Sequence, residues 1–63
     1  MSSYGGNFNE GDRVEISPRF DLWMEGARFG TVTRVQNGIV HVRMDHPHVK
    51  GIRKFKTEDL QEA

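Results

Sequence analysis

The chain has no cysteine, so neither a disulfide framework nor a thiolate metal site can hold it together. It has two prolines, Pro18 and Pro47, and each marks a point where strand pairing must stop. No apolar run approaches the roughly 20 residues that a bilayer-spanning helix needs, so no membrane role is expected. The first ten residues lack the basic start and apolar stretch of a secretory signal, and a cytoplasmic location is the expectation. An excess of charge is missing too: nine Lys plus Arg balance nine Asp plus Glu, so the whole-chain charge selects no partner. Catalytic text is equally scarce. There is no nucleophile elbow and no phosphate loop, and the Glu58-Asp59 pair reads as first-turn charge on a short helix. A non-enzymatic protein without a cofactor is expected.

What is present fits one small domain. Sixty-three residues bury only about 60% of their unfolded surface, which leaves room for a single core. Residues 1–10 are Gly, Ser and Asn with Tyr4 and Phe8, and they read as a flexible arm from which Phe8 could cover one end of the core. Residues 12–17 alternate, with Val14 and Ile16 on one face and Arg13 and Glu15 on the other, which is a strand of period two. After Pro18 no period survives to residue 27, so a long excursion loop carrying Phe20, Leu22 and Trp23 is expected. Residues 28–36 are rich in Thr and Val. Val32 and Val35 stand three apart, which strict alternation would put on opposite faces, so a bulge or strong bend is expected, with Gly30 nearby to permit it. Asn37-Gly38 supplies the two positive φ angles of a type I′ turn, and residues 39–45 alternate again with Val40, Val42 and Met44 inward. Beyond His46-Pro47-His48 and Gly51, residues 52–56 form a short strand with Phe55 inward. Thr57 can then cap a single 3₁₀ turn that drops Leu60 onto the core. The fold class is therefore all-β: one SH3-like small barrel of about five short antiparallel strands, residues 11–63, with a one-turn 3₁₀ helix before the last strand.

The run Gly11-Asp12-Arg13-Val14-Glu15-Ile16, then Trp23, Gly30-Thr31-Val32, Gly38-Ile39-Val40, Val42-Arg43, Phe55 and Glu58-Asp59-Leu60 resembles one barrel family. It is similar to the peripheral SH3-like subunit of photosystem I and the variable chain of ferredoxin-thioredoxin reductase, over roughly residues 11 to 61. Asp21, Trp23-Met24 and Val40-x-Val42-x-Met44-Asp45 also resemble text in small bacterial and bacteriophage SH3-like domains. The resemblance implies the barrel fold and, through Arg43, Lys54 and Lys56, the docking of an acidic protein. The chain differs from the photosynthetic pattern by two extra residues between Trp23 and Gly30 and by its His46-Pro47-His48 turn.

The neutral total conceals a segregation. Residues 1–27 carry a net −3, residues 28–56 a net +6 with Asp45 as their one acid, and the last seven residues −3. A cationic face results if folding does not interleave these segments. The candidate binding residues are the aromatics Phe20, Trp23 and Phe29 with Arg28, His41, Arg43, Lys50, Arg53, Lys54 and Lys56. Trp23 has two readings, as a ligand-gripping aromatic or as a lid on the core. His41, Asp45, His46 and His48 show no strong ligand spacing, so they read as turn histidines and no metal is expected. The leading expectation is a non-catalytic adaptor for an acidic protein partner, acting as a monomer or small homo-oligomer. The alternative is a nucleic-acid module of the KOW or Tudor-like kind, against which the pI of 6.8 argues. A phage or plasmid factor that modulates a host enzyme is a further alternative.

Overall fold

Apolar alternation yields five strands in the computed structural model, which describes residues 5–63; residues 1–4 of the expected arm lie outside the described residues. The strands are β1 (Arg13–Ile16), β2 (Phe29–Gln36), β3 (Ile39–Met44), β4 (Ile52–Lys56) and β5 (Leu60–Glu62). They form one antiparallel sheet in the order β4-β3-β2-β1-β5, with a 3₁₀ turn at Thr57–Asp59 before the last strand. This is the all-β arrangement expected from the sequence.

The sheet must curl, because Phe55 on one edge strand and Leu60 on the other belong to a single buried cluster. Val14, Ile16, Val32, Val40, Val42 and Met44 complete its inner face, with Phe8 and Ala27 closing it. Between β2 and β3 the register shifts from Val32↔Val42 to Arg34↔His41, so the expected bulge falls at Thr33. It brings Val35 opposite Val40, but at the rim, where Val35 stays 39% exposed. Asn37 and Gly38 have φ of 52° and 77°, the pair of positive angles that a two-residue hairpin needs to match strand twist.

The excursion between β1 and β2 is more ordered than its aperiodic sequence suggests. Asp21–Met24 make one helical turn, α1, with no buried residue, and Met24 is 83% exposed. The loop is anchored instead by Phe20, whose ring meets Phe55 edge-on at 5.3 Å. Beside it, Arg19 binds the carboxylate of buried Asp59 and stacks on Phe20, 4.9 Å from the ring centre. The 3₁₀ turn has no side-chain cap: Thr57 is its first residue rather than its cap, and the carbonyl of Asp59 accepts the Ser17 N–H at 2.9 Å. At the other end of the chain order, Phe8 is buried in the core and the Gly5 N–H donates to the Leu60 carbonyl at 2.7 Å.

Candidate interaction surface

Strand order decides the fate of the segregated charge. The basic segment folds as β2, β3 and β4, which are adjacent, while every acid except Asp45 lies outside it: Glu10 and Asp12 ahead of β1, and the rest on β1, the excursion loop, the 3₁₀ turn and β5. The segments are not interleaved. No Asp or Glu occurs in the three strands.

Side chains alternate between the two faces of a sheet, and directly paired residues share a face. Val40, Val42, Met44 and Phe55 are buried, so their neighbours His41, Arg43, Lys54 and Lys56 point outward. The register lines up Arg34, His41 and Lys54 in one row across β2, β3 and β4. A second row runs Thr31, Arg43, Ile52, and a third Gln36, Ile39, Lys56. Neighbouring strands lie about 4.8 Å apart, so each row spans about 10 Å. Four permanent cations and His41 thus surround Ile39 and Ile52, the latter 47% exposed. Among the described residues the ion pairs are Arg13 with Asp45 and Arg19 with Asp59. Neither involves Arg34, Arg43, Lys54 or Lys56, all of which are exposed. Asp45, the one acid of the basic segment, is engaged by Arg13, which also donates to the Thr31 hydroxyl at 3.0 Å.

The remaining candidates lie outside these three rows. Phe20 packs on the inner-facing Phe55, so the excursion loop covers the open mouth of the core and lies on the opposite side of β4 from Lys54 and Lys56. Trp23 is half-buried against the core. Arg28 lies over its ring, 4.7 Å from the centroid, and donates to its backbone carbonyl at 3.2 Å. A flat ligand approaching that face would meet a guanidinium before the indole. Arg53 pairs with buried Val42 and shares its inner orientation, exposed because β4 is an edge. Phe29 points outward but stands opposite Glu15, and Lys50 is exposed in the loop after β3.

Comparison of the chain with protein-family models, with curated proteins and with solved structures gives no match.

Among the described residues no three His, Asp or Glu groups converge. His46 uses Nδ1 to accept the His48 N–H at 3.2 Å, which organises the Pro47 turn. Arg34, Ile39 and Ile52 are not among the sequence candidates. Arg34 could have been found by counting: a two-residue turn at Asn37-Gly38 pairs Gln36 with Ile39, and two steps back Arg34 meets His41.

Proposed function

We propose that the protein is a non-catalytic binding module that docks on a larger assembly by laying the outward face of β2, β3 and β4 against an acidic protein surface. One observation carries the reading: four exposed cations stand on the outward face of three adjacent strands that contain no carboxylate. Unpaired Lys and Arg on a low-dielectric wall attract opposite charge and raise association rates. Ile52 and Ile39 supply apolar area inside the charged surround, the composition of a protein interface more than of a phosphate track. The resemblance to SH3-like subunits that dock acidic proteins points the same way. Against single-stranded nucleic acid stands the placement of Phe20 and Trp23 away from the outward cations of β2, β3 and β4, which leaves Phe29, opposite Glu15, on that face, since that mode needs stacking platforms along the charged groove.

The test combines Arg43→Glu with Lys54→Glu. The parent should capture an acidic protein from nuclease-treated lysate, and the charge-reversed protein should capture none while melting within a few degrees of the parent. Equal capture by both overturns the reading. Capture that disappears on nuclease treatment, with affinity falling linearly in log salt, assigns the face to nucleic acid.

A further inference from the structure

The two edges of the sheet are finished differently. On β5 the Leu60 carbonyl, which faces away from β1, is taken by the Gly5 N–H. On β4 the outer backbone groups stay open. The Asp45 N–H donates to the Phe29 carbonyl at 2.9 Å, so Arg43 directs its backbone groups toward β2, and Val42 and Val40 direct theirs toward β4. Their partners Arg53 and Phe55 therefore complete the β3–β4 ladder, and the N–H and C=O of Ile52 and Lys54 face outward. Among the described residues no other backbone group meets them. The same two residues turn their side chains to the outer face. A partner strand laid along this edge would meet Ile52, Lys54 and Lys56 on one side and Arg53 on the other.

We propose that the β4 edge accepts an extended acidic segment of a partner protein as a sixth strand of the sheet, a docking mode that rests on the acidic-partner reading above. Backbone pairing along an open edge supplies affinity, and side chains alternating along the guest supply selectivity. Charge selects the guest: three of the five β4 residues are Arg53, Lys54 and Lys56, so carboxylates placed opposite them are favoured. A second copy of this chain is disfavoured by the same residues. Antiparallel pairing of two β4 edges about their centre sets Lys54 against Lys54, and a two-residue slip sets Arg53 against Arg53 or crowds Lys54 with Lys56. Lysines on an edge are a recognised guard against self-pairing.

The probe is an eight-residue peptide alternating glutamate and valine with blocked termini, added to the full chain. A second peptide carries N-methyl groups on alternate residues along its bonding edge. The first should bind and slow amide exchange at Ile52 and Lys54 by at least about tenfold, and the second should not bind. Lys54→Pro removes an N–H that the β3–β4 ladder does not use, so the protein should stay folded and lose the first peptide. Equal binding of both peptides without protection at Ile52 and Lys54 overturns edge addition and leaves the acidic-partner reading standing. Failure of both peptides to bind overturns edge addition, and the charge-reversal comparison then decides the acidic partner separately. Peptide-free protein that sediments as a dimer with protected Ile52 and Lys54 amides also overturns it, in favour of self-pairing.

Discussion

Gly30 is where the barrel has no space to give. It is buried on β2 between Val14 and Met44, and its φ lies outside the left-handed region, so conformational freedom is not what the position demands. A Cβ built there lies 2.5 Å from Val42 Cγ1, 2.7 Å from the Arg43 carbonyl oxygen and 3.2 Å from Met44 Cα. Ordinary carbon contacts are about 3.5–4.0 Å. Two of the three neighbours are backbone of the paired strand and cannot yield without opening the ladder, and Val42 is fully buried with a stiff χ1. Gly30→Ala should therefore cost about 3 kcal/mol, the upper end for overpacking. A domain of this length holds only about 3–9 kcal/mol in total. At about 4–8 °C per kcal/mol, the melting temperature should fall by about 12–24 °C in thermal denaturation followed by circular dichroism. Adding Val42→Ala relieves the Cγ1 overlap but not the carbonyl, so the double variant should remain less stable than Val42→Ala alone. A Gly30→Ala protein melting within about 2 °C of the parent would refute the close approach of β2 and β3.

Other sites give smaller effects. Val42→Ala alone empties part of a sealed core and should cost about 1–3 kcal/mol in urea unfolding; no change would mean that β3 faces the other way. Asn37→Ala should lose about 1 kcal/mol because alanine tolerates φ of 52° poorly, whereas Asn37→Gly should come within a few tenths of the parent in the same assay. Arg19→Ala removes the partner of a buried carboxylate and should cost about 1–2 kcal/mol, discounted because Arg19 is 65% exposed. Melting curves in high salt should show a smaller gap between Arg19→Ala and its parent, since screening weakens the pair that the variant lacks.

Legibility in the sequence followed the range of the interactions involved. The Asn37-Gly38 hairpin, the inward Val40, Val42 and Met44 and the Thr33 bulge are consequences of neighbours a few residues apart, and the text shows them. Gly30 reads as a bend glycine, yet its reason is the approach of Val42 and Arg43 from another strand. The turn at Asp21–Met24 has no helical period, because Phe20 against Phe55 and Arg19 against Asp59 fix the loop from outside. Of the candidate surface, the cations are legible and their grouping is not: alternation separates Arg53 from Lys54, and Trp23 is stacked under Arg28, whose role depends on where the loop returns.

The sheet order makes this neutral molecule a dipole, with its positive pole on β2, β3 and β4 and its negative pole on the β1 and β5 side. The molecule is 27 Å across. At physiological ionic strength fields decay over about 8 Å, so a visitor senses only the pole that it faces. At 0.01 M salt the decay length is about 30 Å, longer than the molecule, and both poles are felt together. Diluting the salt should therefore bring diminishing returns in attraction but increasing torque. On the acidic-partner proposal, such a dipole aligns the fold before contact without the net charge that would hold it to every acidic surface it passes.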